Sequence, residues 1–244
     1  MTVIETKHLR KEYKDVIAVE DLELAIRQGE LFSLLGVNGA GKTTTIKMLT
    51  GLTKPTSGQA MVLGHSVLTE SAKIKEQIDI SMQETAIAKN LTVEENIDFY
   101  MSLSGKDKGQ IPQTKKMLFD RFGLKSVAKK RAGKLSGGWQ RKLSIALALA
   151  SEPKILFLDE PTLGLDVIAR RELWKLIGDL KRSMTIVLTT HYMEEAEALS
   201  DRIGIMKDGK LLFVGAKEEL FSLTGATNVE DAFIEIVGGG VDRG

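Results

Sequence analysis

The sequence predicts an α/β fold with a mixed β-sheet core, a small antiparallel β subdomain and an inserted α-helical subdomain. Three observations predict it. The apolar run Leu31-Phe32-Ser33-Leu34-Leu35 leads directly into a glycine-rich loop and then a helical pattern. A second apolar run, Ile155-Leu156-Phe157-Leu158, ends in two carboxylates. Between them, residues 94–134 place apolar side chains at helical spacing and show no strand pattern.

Taken in order, Val3-Ile4 and Leu22-Glu23-Leu24-Ala25-Ile26 read as strands, with turns at Asp15 and Gln28-Gly29. The run at 31–35 is nearly all apolar, as expected of a strand buried on both faces. Lys42–Leu49 reads as a helix that stops before Gly51. In the insert, Val93, Ile97, Tyr100 and Met101 share one helical face, and Met117, Leu118, Arg121 and Phe122 another. The α/β pattern then resumes: a helix over 136–150, a central strand at 155–158, a helix at Val167–Lys181 and a strand at Thr185–Thr190. A helix at 192–199 follows, then a hairpin of 203–206 with 211–214 turning at Asp208-Gly209. Helices at 217–223 and 229–236 close the pattern, and 238–244 reads as a flexible tail. The organisation expected is one domain over 1–244, with 1–83 and 134–237 as the core that bears the site and 84–133 as the helical subdomain. Met48, Met61, Met82, Met101 and Met117 read as core filling.

Composition narrows the function classes. The 244 residues are 43% hydrophobic and 27% charged, close to a soluble globular average. With 34 Lys+Arg against 33 Asp+Glu the formal charge is +1, which argues against a surface built for nucleic acid. No cysteine is present, so disulfides, Cys-based zinc sites and thiol nucleophiles are excluded. The first ten residues mix Glu5, Lys7 and His8 with isolated apolar residues and do not read as a signal peptide. The most apolar stretch, 145–150, is far shorter than the ~20 residues of a membrane span.

The chemistry concentrates in two motifs. The stretch Gly36-Val37-Asn38-Gly39-Ala40-Gly41-Lys42-Thr43, followed by Thr44, is a P-loop in its required strand–loop–helix context. Backbone N–H groups at a helix N-terminus hold a phosphate chain, and the glycines let the backbone wrap it closely. Lys42 would reach the outer phosphates and the Thr43 hydroxyl would ligate Mg²⁺. In the second motif, side chains alternate along the strand, so its two terminal acids take different tasks. Asp159 would serve the metal and Glu160 would orient or deprotonate the attacking water. These two motifs by themselves establish only a P-loop NTPase, read here as one that binds and hydrolyses ATP with Mg²⁺. Leu135-Ser136-Gly137-Gly138, ahead of a helix, is a further candidate anion cradle.

The P-loop, the Leu135–Gly138 signature, the acidic strand end and His191 stand in the order found in ABC transporter ATP-binding subunits, which the chain resembles over essentially its whole length. Tyr13, Gln83 and the loop Leu163-Gly164-Leu165-Asp166 also fall where that family places functional residues. The resemblance implies that Tyr13 stacks on adenine, that Gln83 contacts Mg²⁺ or the water, and that His191 binds the γ-phosphate and supports Glu160. Alone, Tyr13 reads as a strand aromatic and His191 as a polar residue at a strand end. Asp166 would sit at a dimer seam and, locally, would N-cap the Val167 helix. Ser136, Gly137 and Gly138 would act on nucleotide held by a second subunit, most simply a second copy.

Two positions depart from the family pattern. Trp139 stands where Gln is usual, which leaves contacts near the ribose open, and Leu163 stands where Ser is common. The stretches 90–105, 190–197 and 229–233 are similar to exporter ATPases of the multidrug, polysaccharide and daunorubicin-resistance type. The implied unit works with a separate membrane permease, on the cytoplasmic side of the membrane. A docking groove near 83–88 would use Ile87 and Leu91 as exposed apolar contacts, although both also suit the insert's own core. Lys125, Lys129, Lys130 and Arg131 read as a solvated helix face, or as a face toward anionic lipid. The runner-up reading is an ABC ATPase that serves as an assembly machine without transport.

Overall fold

The computed structural model describes residues 1–103 and 109–239. Two long antiparallel strands open the chain, β1 (Thr2–Tyr13) and β2 (Val16–Arg27), joined by a tight turn at Lys14-Asp15. After the turn at Gln28-Gly29 comes β3 (Leu31–Gly36), buried at all six positions, and then α1 (Lys42–Leu49). The chain next forms β4 (Ser57–Val62), β5 (His65–Ser66), α2 (Ser71–Lys75) and β6 (Ile78–Ser81). The insert holds α3 (Val93–Leu103), α4 (Ile111–Phe122) and two 3₁₀ turns, Leu124–Val127 and Ala132–Lys134. Then follow α5 (Gly137–Ala148), β7 (Ile155–Asp159), α6 (Val167–Lys181), β8 (Thr185–Thr190) and α7 (Met193–Leu199). The last elements are β9 (Arg202–Lys207), β10 (Lys210–Gly215), α8 (Lys217–Thr224) and α9 (Val229–Gly238).

Two sheets result. One is antiparallel in the order β2-β1-β4-β5; the other runs β10-β9-β3-β8-β7-β6. Within the larger sheet β9, β3, β8, β7 and β6 are parallel and β10 is an antiparallel edge. The sheet is therefore mixed, as expected. Parallel pairing brings the carboxyl ends of β3, β7 and β8 side by side, and the register sets Asp159 against Thr189 and Leu35 against Thr190. The crevice beyond such strand ends is where open α/β sheets bind ligands.

Alternation along β7 divides the core. Leu156 and Leu158 pack with the helices, while Ile155 and Phe157 pack toward β1, β2 and α1. Each such fully buried side chain contributes about 1.5–3 kcal/mol. The insert is not packed apart: Val93, Ile97, Met101, Leu118 and Phe122 share one cluster with Leu143, Leu147 and Leu158. No helix among the described residues is long and apolar enough to cross a membrane.

Several expectations change. Residues 57–81, for which periodicity gave no element, form β4, β5, α2 and β6, because their strand character comes from pairing with β1 and β7. The helix read as 136–150 spans 137–148, with Ser136 as its N-cap. Gly238 closes α9, and of the tail read at 238–244 only Gly239 is otherwise described. Ser104 and Gly105, part of the exporter-like stretch, lie outside the described residues. Ile87 and Leu91 are half-buried, and Ile87 packs on the insert's core; the exposed apolar side chains of α3 are Phe99 and Leu103. Met48 and Met101 fill core, whereas Met61 is exposed and Met82 and Met117 are half-buried. Of the cationic run, Lys125 pairs with Asp120 and Lys129 with Glu94, as a solvated face would.

Candidate active site

The loop between β3 and α1 is shaped by steric necessity. A Cβ on Gly36 would stand 2.5 Å from the Met206 carbonyl oxygen. At Gly41, where φ is 104°, a Cβ would meet the Ala18 carbonyl oxygen at 2.4 Å. Neither position accepts a side chain. The β9–β10 turn braces the loop from behind, since Gly209 N donates to Ala40 O at 3.1 Å and Glu20 N to Gly209 O at 2.9 Å.

Inside this frame the polar groups satisfy one another. Lys42, 5% exposed, donates to the carbonyls of Gly36 (2.7 Å) and Val37 (3.1 Å) and lies 3.3 Å from Glu160 Oε1. His191 Nδ1 is 2.6 Å from Glu160 Oε2. With Glu160 ionised, the ring nitrogen is the donor. Thr43 Oγ1 donates to Asp159 at 3.0 Å, and Thr189 Oγ1 to the same carboxylate at 2.5 Å. Asp159 has no exposed surface.

Glu160 itself occupies the left-handed region, with φ 48°. For a side-chain-bearing residue this stores strain of about 1 kcal/mol or more, and such strain gathers at functional sites. It is held there by its own N–H, which donates to Thr189 O and Thr189 Oγ1, both at 3.1 Å.

A cleft of about 560 Å³ opens over these groups. Asn38, Gly39, Ala40, Gly41, Lys42, Thr43 and Thr44 line it together with Glu160, Gln83, His191 and Tyr13. Tyr13 is exposed, with Lys11 Nζ 4.7 Å from its ring centroid. The cleft thus gathers Asn38–Thr44 of the P-loop with Glu160, Gln83, His191 and Tyr13, while Gly36, Val37 and Asp159 lie behind it, bonded to Lys42 and Thr43.

The Leu135–Gly138 signature is not among them. Ser136 and Gly137 are exposed, and Gly137 lines a separate recess of about 400 Å³ with Gln83, Gln140, Leu163 and Leu165. Gly138 has a local reason as well: a Cβ there would press on the Ala169 Cβ of α6 at 3.0 Å. Trp139 turns away from the signature into a groove with Phe122 and Leu176, and Lys142 Nζ stands 4.8 Å from its ring centroid. Asp166 accepts from Ala169 N at 2.9 Å, so it does cap α6.

Sequence reasoning missed two positions. Thr189 supports both Asp159 and Glu160, and only the register of β8 on β7 reveals it. Arg141, buried on α5, donates to the carbonyls of Met82 (2.7 Å) and Gln83 (2.6 Å). It thereby ties the Gln83 segment to the signature helix. Burial holds its guanidinium below the usual value, with Asp159 and Glu195 acting the other way.

Comparison with known proteins agrees with this geometry. Residues 19–163 match the ABC transporter family model. The probable multidrug ABC transporter ATP-binding protein YbhF of Escherichia coli K12 is 40% identical over 243 residues, covering 97% of this chain but 42% of that protein. The chain thus spans about two fifths of that relative's length. Among solved structures, cbiO1 from Clostridium perfringens, described as part of the ABC transporter complex cbiONQ, superposes with TM-score 0.83 at 27% identity over 91% of each chain. The dimeric ATP-binding cassette MJ0796, in a post-hydrolysis state with ADP and Pi, gives 0.78 at 26% identity over 87% of this chain and 98% of its own. A P-loop beneath a Glu–His pair, on this sheet and with these relatives, makes the chain a member of the ABC transporter family and an ABC ATPase.

Proposed function

We propose that the chain powers export through a separate membrane permease, working as one of two copies that close over ATP on the cytoplasmic face of the membrane. The observation that carries the reading is Glu160, held between Lys42 at 3.3 Å and His191 at 2.6 Å directly above the P-loop.

The chemistry follows from that arrangement. The Lys42 amine is occupied by two backbone carbonyls and one carboxylate oxygen. A triphosphate lying on the loop N–H groups competes for this amine as a denser anion. Drawing Lys42 toward phosphate releases Glu160 Oε1 to orient a water in line with the γ-phosphorus and take its proton. The bond from Oε2 to His191 fixes the rotation of that carboxylate and leaves the ring's other nitrogen for the γ-phosphate. Tyr13 offers an exposed ring for the adenine.

Thr43 and Asp159 present hard oxygen donors already within 3.1 Å of one another, a set that suits Mg²⁺, with Gln83 as a further ligand. Held there, the ion would supply positive charge against the phosphates.

Two observations support the assembly. Ser136 and Gly137 are exposed and do not line the cleft over their own P-loop, as a cradle meant for another copy's nucleotide would require. Phe99 and Leu103 leave apolar surface exposed on α3, as a permease contact requires. Nucleic acid has no place in this reading.

Replacing Glu160 with Gln tests it. The variant keeps ATP affinity within about threefold, loses turnover by about 10²-fold or more and accumulates an ATP-bound dimer. Wild-type hydrolysis by Glu160→Gln removes Glu160 from the role of base.

A further inference from the structure

Behind the Glu160–His191 pair lies a buried polar cluster that the chemistry above leaves without a task. Glu195, on the first turn of α7, has no exposed surface. Its Oε1 accepts from Trp174 Nε1 of α6 at 2.9 Å. Its Oε2 has no hydrogen-bond partner among the described residues, and neither have Thr162 Oγ1 and Arg170 Nε. Such atoms are few in native proteins and each asks for an explanation.

These three come from different segments that meet around one carboxyl. Thr162 lies two residues past Glu160, and Glu195 four residues past His191. Burial pushes the Glu195 carboxyl up from its ordinary range, while Thr190, Thr162, Trp174 and the charge of Arg170 act against that. All four lie near it, and of them Trp174 makes the hydrogen bond of ordinary geometry. The Thr190 hydroxyl also accepts from Tyr192 N at 3.0 Å, so it braces the backbone on both sides of His191. The Arg170 guanidinium stands 4.6 Å over the Tyr192 ring, whose centroid is 4.2 Å from that of His191.

We propose that Glu195 is a positioning residue for ATP hydrolysis: its buried carboxyl sets the Thr162 segment against the Thr190–Tyr192 segment, and thereby sets Glu160 against His191. The role rests on the reading of Glu160 and His191 as the hydrolytic pair. Small displacements in such a pair cost large factors in rate, which is what a rigid support behind it prevents.

The test compares Glu195→Ala, Glu195→Gln, His191→Ala and the double variant His191→Ala/Glu195→Ala in the full chain. ATPase rate, KM, affinity for a fluorescent ATP analogue and thermal unfolding are measured. Glu195→Ala is expected to lower kcat about tenfold with nucleotide affinity within about twofold. Glu195→Gln, which keeps an acceptor for Trp174 and gains a donor for Thr162, restores most of the loss. In the His191→Ala background the alanine at 195 costs little further, because both act through one pair.

Wild-type kcat in Glu195→Ala overturns the positioning role, as does an equal loss with and without His191, or a loss that only follows a lowered Tm. An unchanged rate in His191→Ala instead overturns the underlying reading of the pair, and the positioning role with it. If Glu195→Ala does not fold, Trp174→Phe carries the test by removing the Nε1 donor while keeping an aromatic ring. A several-fold fall in kcat at unchanged nucleotide affinity is expected, and an unchanged kcat overturns the proposal.

Discussion

At the scale of single residues, the site works because a few charges are out of water and already paired. Away from the cleft, Asp79 on β6 shows the opposite case. Its carboxyl is raised to about 6, chiefly by burial, although it accepts from Ile80 N at 2.7 Å and from Ser151 Oγ at 3.1 Å. An acid whose folded value lies above its unfolded one binds more protons when folded. Its favourable contribution is therefore complete below about pH 4 and is lost as pH rises through about 6. Asp79→Asn keeps an acceptor for Ile80 and cannot ionise. Urea unfolding should find it about 1–2 kcal/mol more stable than wild type at pH 7.5, with the gap closing toward pH 4. Parallel pH profiles of the two proteins would remove this account. The sequence announces Asp159 and Glu160 because two acids end an apolar run. It does not announce the positive φ of Glu160 or the grip of Lys42 on it, since both need the loop and the neighbouring strand in place.

Local signals define the elements that carry them. The helix α6 was legible at both ends because Asp166 precedes a periodic run, and the structure shows that carboxylate accepting from Ala169 N. Asp166→Ala should lower stability by about 1 kcal/mol, read from the urea midpoint at unchanged slope. No change in the midpoint would mean that the cap adds nothing. The β9–β10 hairpin was equally legible, because Asp208-Gly209 supplies two positive φ values, 49° and 77°, that a tight turn demands. By contrast β4 and β6 are only six and four residues long, too short for alternation to stand out, and their stability comes from distant partners. Trp139 was ambiguous for the same reason: only the α4–α6 groove shows where its ring goes.

For the whole molecule, the outward-facing signature is the decisive feature. Ser136 is the exposed N-cap residue of α5 and its side chain makes no capping hydrogen bond, so a large cation there disturbs no core. Ser136→Arg should leave ATP binding to the monomer within about threefold while abolishing ATP-driven dimerisation in light scattering and most turnover. Undiminished dimerisation would refute a shared site. Arg141 adds a link at this scale: it joins the signature helix to the Gln83 segment. Nothing in the spacing of Arg141 marks it, because its partners are two carbonyls nearly sixty residues earlier.

The sequence by itself determined which segments fold locally and what chemistry they bear: the strand–glycine loop–helix at 31–49, the acidic end of β7, the cap of α6 and the hairpin turn. Periodicity and turn chemistry suffice for these because their causes lie within a few residues. Only the tertiary structure decided the strand order β10-β9-β3-β8-β7-β6, the placing of Thr189 behind Asp159 and the meeting of Lys42, Glu160 and His191. Alternation tells which face of a strand is buried but not which strand lies beside it. That choice is made by packing between segments far apart in the chain.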